Sequence, residues 1–417
     1  MTTKILILTK VLFLFIIKVN GQYCTSDTRY TEVQYFKSTE ITIGSNIQYG
    51  MALDHTLTSD SLLLDFYYPN LGIDLSPKRP FIMLFHGGGF TSGNKQGGDI
   101  VDLCVQFALR GFVCASVSYR LGFLFSEYGQ FKARYRAIQD GHAAMRYVVN
   151  NANALRIDTN WLFVGGQSAG SLLALGMVYA DQAELDSVSL LYGVTPISEE
   201  LGNLYSSGNS LNNTYSIRGI FNNWGAAAKN EVDIVELVPT IAFHGELDQT
   251  VMIDSSNSFM HYSLIGSRTI HNELIANKIC SELTVEANGG HGIYRNASSI
   301  FRVQRASCFF KSVFCNSCSS LYTTDSIPSN CSRSLSVDEQ NFGVNFKIYP
   351  NPIENSFTIE GLDGILDLSL YNCFGQLVYS EEILKDEVQL DLQPGIYFLK
   401  ISHIDSDKTY ITKLIKN

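Results

Sequence analysis

From about Ser61 to about Val285, short apolar, β-branched runs alternate with longer stretches whose apolar positions recur at helical spacing. The runs Leu62–Tyr68, Phe81–Phe85, Phe112–Tyr119, Trp161–Gly165, Val188–Tyr192, Thr240–His244 and Leu283–Ala287 are predicted strands. Between the third and fourth, Arg136–Asn150 sets Ile138, Ala144, Met145 and Val148 on one helical face and predicts a crossover helix. Such alternation belongs to the α/β class, with a mostly parallel central sheet flanked by helices. At about Cys315 the pattern breaks into a Ser-, Asn- and Cys-rich stretch without apolar period. Beyond it, Phe346–Asn417 shows only strand-like segments (SFTIEG, LDLSLYN, QLVYSEE, EVQLDL, GIYFLKIS, YITKLIK) and predicts a small all-β sandwich. The expected division is 1–21 leader, 22–314 α/β domain, 315–345 linker and 346–417 C-terminal domain.

Composition narrows the functional classes. Of 417 residues, 45% are hydrophobic and 17% charged, which suits packed cores and excludes disorder over most of the chain. The formal net charge of −10 would repel a phosphate backbone, so no nucleic-acid partner is expected. The N-terminus carries Lys4, an apolar stretch from Ile5 to Ile17 broken by Lys10, and the small-residue site Val19-Asn20-Gly21. It reads as a secretory signal, too short for a spanning helix. All nine cysteines follow it, where an oxidising compartment favours disulfides with one thiol left over. A zinc site at Cys308, Cys315, Cys318 and Cys331 is the competing reading, weakened by the missing second close pair.

Candidate chemistry gathers at strand ends. Gly166-Gln167-Ser168-Ala169-Gly170 follows one predicted strand and opens an apolar helical stretch, the setting of a nucleophile elbow that exposes a serine Oγ. By composition such a motif occurs by chance in about one chain in seven of this length, so its position does the discriminating. His86-Gly87-Gly88-Gly89 directly follows Phe81–Phe85 and suits an oxyanion loop, because glycines let backbone N–H groups approach a developing negative oxygen. The Ala169 amide, at a helix N-terminus, would add a donor. A serine hydroxyl needs a base, and the base an orienting carboxylate. His291, in Gly289-Gly290-His291-Gly292, and Asp248, in Gly245-Glu246-Leu247-Asp248, each sit just past the carboxyl end of a strand, where open α/β sheets gather their ligands. Glu246 and Asp254 compete for the carboxylate role. His271 lies in a polar helical stretch and is expected in solvent, His142 on the crossover helix, and His86 and His244 in loops that they shape by hydrogen bonds.

In this order HGGG, GQSAG, HGELD and GGHG resemble the α/β-hydrolase family, especially carboxylesterases, over about Ser61–Phe310. The resemblance implies an oxyanion hole from Gly88, Gly89 and Ala169. Gln167 departs from the pattern, since many relatives carry an acid before the nucleophile. Tyr349-Pro350-Asn351-Pro352, Gly375-Gln376, Pro394-Gly395-Ile396-Tyr397 and a Lys-containing last strand resemble the C-terminal sorting domain of the type IX secretion system. That resemblance implies export across both membranes of a Gram-negative bacterium to the surface or the medium; a carbohydrate-binding or adhesive sandwich is the alternative. The expected reaction is carboxylic-ester hydrolysis, with Ser168 attacking, His291 taking the proton and Asp248 holding the imidazole, and it calls for no metal or organic cofactor. Activity should fall at acidic pH as His291 becomes protonated. About 45 residues between Tyr192 and Thr240 are few for a large lid, so an open site for small acyl groups or polymer-bound esters is expected, with Trp224 a candidate lining residue. A serine peptidase and a catalytically silent adhesion protein on the same fold are the rivals.

Overall fold

The computed structural model describes residues 23–24, 26–259, 262–293, 300–325, 331, 347–361, 366–372, 377–383, 387–403 and 409–416. The expected leader, most of the expected linker, Cys373 and the Phe374-Gly375-Gln376 turn lie outside them. The chain divides into two compact units, Met1–Cys331 and Ser332–Asn417.

The first unit begins with the antiparallel pair β1 (Ile41–Leu53) and β2 (Ser59–Pro69), followed by β3 (Arg79–Phe85), α1 (Gly98–Leu109), β4 (Val113–Val117), α2 (Glu127–Asn150) and β5 (Ile157–Gln167). After β5 come three helices, α3 (Ala169–Tyr179), α4 (Gln182–Leu191) and α5 (Ile197–Leu201), then β6 (Ile217–Asn223) and β7 (Ala226–Ala228). The remainder is β8 (Thr240–Gly245), β9 (Ser255–Phe259), β10 (Tyr262–Gly266), α6 (Ser267–Ala276), β11 (Ser281–Glu286), α7 (Ile300–Phe314) and β12 (Leu321–Thr324). Among the described residues the main sheet runs β1-β2-β4-β3-β5-β6-β8-β11-β12 and is parallel from β4 to β12.

Strand β3 shows why this sheet is covered on both faces. All seven of its residues are buried. Phe81, Met83 and Phe85 point into a core built with α2 and α3, while Ile82 and Leu84 point into a second core that takes in α1 and α7. A period of two therefore divides one apolar run between two layers.

Two expectations change. Val188–Tyr192 is the end of α4 and not a strand: Leu185 and Val188 are buried while Leu190 and Leu191 are exposed, and Asp181 and Glu184 form a capping box at the helix start. The strand beside β5 is instead β6, whose Asn222 and Asn223 are fully buried. The α/β unit also extends past Phe314, because β12 pairs with β11 inside the stretch read as linker.

Disulfide Cys24–Cys315 joins the two ends of this unit and Cys280–Cys318 and Cys308–Cys331 staple its C-terminal part, so the four clustered cysteines are oxidised partners and not a zinc site. Cys104 and Cys114 are buried and form no disulfide, with the Cys114 thiol donating to Cys104 Sγ at 3.0 Å. In the second unit, β13 (Lys347–Tyr349), β14 (Ser356–Glu360), β15 (Leu366–Asn372), β16 (Leu377–Ile383), β17 (Glu387–Gln389), β18 (Gly395–His403) and β19 (Thr409–Lys416) form two antiparallel sheets, β13-β14-β17 and β16-β15-β18-β19. Alternating inward residues such as Leu366, Leu368 and Leu370 build their shared core.

Candidate active site

Ser168 stands between β5 and α3 with φ 52° and ψ −122°, in the left-handed half of backbone space that L-residues avoid. The turn holds because its flanks are glycines in close contact. A Cβ on Gly166 would lie 2.3 Å from the Gly170 carbonyl carbon, and one on Gly170 would lie 2.2 Å from the Phe85 carbonyl oxygen. Asn223 clamps the turn from β6: its side chain donates to the Gly166 carbonyl at 2.8 Å, and its own carbonyl accepts from the Ser168 amide at 3.0 Å.

Three side chains from distant loops meet here. His291 Nε2 lies 2.8 Å from Ser168 Oγ, and His291 Nδ1 lies 2.8 Å from Asp248 Oδ2. The other carboxylate oxygen of Asp248 accepts from the amides of Thr250, at 2.8 Å, and Val251, at 3.0 Å. Burial by itself would push the Asp248 carboxyl up, but hydrogen bonds from His244 and His291 and from the Val251 amide outweigh it and hold the group well below the usual carboxylate range. The competing carboxylates are engaged elsewhere, since Glu246 and Asp254 both pair with Arg268. Such a chain can pass a proton from a hydroxyl to an imidazole whose tautomer is fixed by a buried carboxylate.

The glycine loop lies alongside. Gly88 and Gly89 have φ of 118° and 61°, and a Cβ on Gly88 would overlap the Ser92 carbonyl oxygen at 2.1 Å. The Gly88 carbonyl is turned into the loop, accepting from the amides of Thr91 and Ser92. The amides of Gly88, Gly89 and Ala169 have no acceptor among the described residues. A cavity of about 300 Å³ opens beside Ser168, lined by Gly89, Ala169 and a mainly apolar wall of Phe90, Leu172, Val251, Met252 and Leu264, with Gln130 as a polar member.

Other predicted residues fall as follows. Trp224 does not line this cavity: it is 7% exposed, sits in the core on the α1 and α7 face, and lies under the Arg302 guanidinium at 5.0 Å. His271 is not in solvent but buried, with Nδ1 2.8 Å from Ser281 Oγ. His86 stacks on Tyr119 and contacts the Gly87 carbonyl through Nδ1, and burial lowers its basicity. His244 touches Ser267 Oγ, the Val251 carbonyl and Asp248, so it braces the loop that carries the carboxylate. Sequence reasoning missed Asp99, which accepts from Gln167, and Arg302, which donates to Asp99 and to Asn223 Oδ1 at 2.8 Å. No local motif marks either residue, because their partners lie far away in the chain.

Comparison with known proteins adds the family. The family BD-FAE matches residues 64–227, and the secretion system C-terminal sorting domain matches residues 347–417. The chain carries an α/β-hydrolase domain followed by a sorting domain. The hydrolase domain is 32% identical over 113 residues to the Neuroligin-like protein glit-1 of Caenorhabditis elegans, covering 27% of this chain and 15% of that protein. It is 26% identical over 217 residues to the isoprenylcysteine alpha-carbonyl methylesterase ICME of Arabidopsis thaliana, covering 47% of this chain and 48% of that protein. The chain thus spans less than half the length of these curated relatives. Among solved structures, a propionate-bound thermophilic esterase of Thermogutta terrifontis is 19% identical, covering 66% of this chain and 96% of its own, with a TM-score of 0.45. Among the described residues no helix is long and apolar enough to cross a membrane.

Proposed function

We propose that this chain is an exported serine carboxylesterase that works through an acyl-enzyme. The observation that carries the reading is the unbroken contact from Ser168 Oγ through both ring nitrogens of His291 to Asp248, beside three backbone amides without acceptors among the described residues. In this reading Ser168 attacks the ester carbonyl as His291 Nε2 takes its proton, and the carbonyl oxygen gathers charge against the amides of Gly88, Gly89 and Ala169. Collapse of the tetrahedral intermediate expels the alcohol, which receives the proton from His291. Water then repeats the sequence on the acyl-enzyme and returns the serine. Asp248 stays ionised throughout, which its hydrogen bonds favour.

The alcohol must leave on the side of His291, since that ring protonates it. The cavity that includes Gly89, Ala169 and Leu172 but not His291 is therefore the acyl side, and its size and apolar wall suit short acyl groups. Residues 1–21 would direct export and 346–417 would engage the type IX machinery, delivering the enzyme to the cell surface or medium; the match to a sorting domain supports the second part. The deciding test is a Ser168→Ala variant assayed on an aryl acetate, with an organophosphonate label on the wild type. Loss of turnover together with stoichiometric labelling at Ser168 is expected. Retained turnover would sink the assignment, and cleavage of peptide amides in preference to esters would favour the peptidase rival.

A further inference from the structure

A larger cavity, about 620 Å³, opens at the opposite edge of the sheet from Ser168. Its walls include Ile217, where β6 starts, and Val238, just before β8. Ser168 follows the far end of β5, which runs parallel to β6, itself parallel to β8. The cavity is thus separate from the catalytic cleft. Tyr205 and Asn212 to Tyr215 also line it, from a Ser-, Asn- and Tyr-rich segment that has no part in the proposed chemistry.

Three rings converge there. His142 lies 5.0 Å from the Tyr205 ring and 6.2 Å from the Tyr215 ring, centre to centre. His142 is 4% exposed, its Nδ1 sits 2.5 Å from the Tyr215 hydroxyl, and its Nε2 is buried without a partner among the described residues. Burial, then Arg146, lowers its pKa to about 3, so the ring is neutral. Whichever tautomer it adopts, Nε2 faces either an unmet donor or an unmet acceptor. Nε2 has no accessible surface of its own, so a ligand in the cavity meets the surrounding rings and polar side chains and not this atom.

Charge narrows the ligand further. Arg146 is spent internally: Nε donates to Asn209 Oδ1, one terminal nitrogen to the Tyr205 carbonyl and the other to the Ser207 carbonyl at 2.6 Å. Glu236, the other charged group in the wall, is pushed up by burial and by the nearby Asp233 and Asp181. Arg146 is held on these neutral acceptors and is the sole cation among the lining residues, so no pair of cations converges to clamp a phosphate or carboxylate, and the Glu236 acid disfavours an anion. What the wall offers is two tyrosine faces, the amides of Asn212 and Asn213 and the Thr214 hydroxyl.

We propose that this cavity is a binding site for a neutral oligosaccharide, with sugar faces against Tyr205 and Tyr215 and hydroxyls on Asn212 and Asn213. The site would hold a polymer chain while the catalytic cleft works on esters elsewhere along it, raising the local substrate concentration. Binding itself does not depend on the esterase reading, because it is measured with unesterified sugars.

The test is calorimetric titration of the full-length protein with xylohexaose, cellohexaose and mannohexaose, with inorganic phosphate and hexagalacturonate in parallel. Saturable binding of at least one neutral hexaose is expected, weakened about tenfold or more by Tyr205→Ala and by Asn213→Ala. Tyr205 is 46% exposed and its ring packs on His142, so the thermal midpoint of Tyr205→Ala is measured beside the titration to separate lost binding from lost folding. Failure of all three neutral sugars to bind, binding that survives both substitutions, or preference for either anion would each overturn the proposal.

Discussion

Arg302 donates to Asp99 at 2.8 Å and so links the helix after the His291 loop to the carboxylate that holds Gln167, the neighbour of Ser168. The nucleophile and the loop of its base therefore share one brace. Removing it should disturb the register between them more than it disturbs folding, because Asp99 is 45% exposed. Arg302→Met is expected to lower kcat on an aryl acetate by about tenfold to a hundredfold, since small misplacements of reacting groups cost that much. The stability loss in urea should be about 1–3 kcal/mol. Arg302→Lys, which keeps the charge and loses the fork, should fall between. An unchanged kcat in Arg302→Met would remove the positioning role.

Ser168 holds a backbone conformation suited to glycine, and the strain is the cost of exposing Oγ. A Ser168→Gly variant should be inactive and also more stable than the wild type by about 1 kcal/mol. Urea denaturation of the two proteins checks it. A less stable glycine variant would mean that the hydroxyl contributes more to folding than the strain takes away.

Asp248 makes two claims testable in one variant. Asp248→Asn should fold but lose about four orders of magnitude in kcat, because an amide no longer holds the working tautomer of His291. The folded carboxyl lies below its unfolded value of about 3.9, so it stabilises the fold above that pH, and this contribution fades as pH falls through the lower folded pKa. Acid unfolding of the wild type should therefore be steeper below about pH 4 than that of Asp248→Asn. Equal slopes would contradict the ionised, hydrogen-bonded carboxylate.

The residues that meet at the candidate site are easier to pick out in the sequence than some of the elements around them. Ser168, His291 and Asp248 stand in short local motifs after strands, and local motifs survive in a linear reading. By contrast β6 ends in two asparagines that look like a turn. They are buried because Asn222 donates to Ser267 Oγ and Asn223 to the Gly166 carbonyl, partners the sequence does not place. Val188–Tyr192 resembled a strand through its apolar run, while its true period emerges only with the cap at Asp181 included. Trp224 is expected at the cleft from its place between Tyr192 and Thr240, yet its ring packs under Arg302, far along the chain, in the core on the α1 and α7 face. Long-range polar pairing is what remained hidden in each case.

Cysteine bookkeeping gives a test free of any functional assumption. In protein unfolded without reductant, an alkylating reagent should modify Cys104 and Cys114 and leave Cys24, Cys280, Cys308, Cys315, Cys318 and Cys331 unmodified, with Cys373, outside the described residues, read separately by peptide mapping. In the folded state the first two are fully buried and should resist the reagent. Reductant should then lower the thermal midpoint, because the 24–315 bridge closes a loop of 291 positions and such cross-links contribute about 2–4 kcal/mol each. Peptide mapping that found a bridge among other pairs would revise the pairing.

The acyl cavity sets a chain-length limit. Each methylene moved from water onto Phe90, Leu172, Val251, Met252 and Leu264 is worth about 0.8 kcal/mol, or about fourfold in kcat/KM, until the 300 Å³ is filled. Rates on a series of aryl esters should therefore climb from acetate through the short acyl chains and then fall at long chains, where the methylenes find no room. Leu172 lines the cavity one helical turn beyond Ser168, so Leu172→Ala should move the optimum to longer chains without abolishing turnover of the acetate. A flat profile in both proteins, or a wild-type preference for long-chain triglycerides, would mean that the acyl group binds elsewhere.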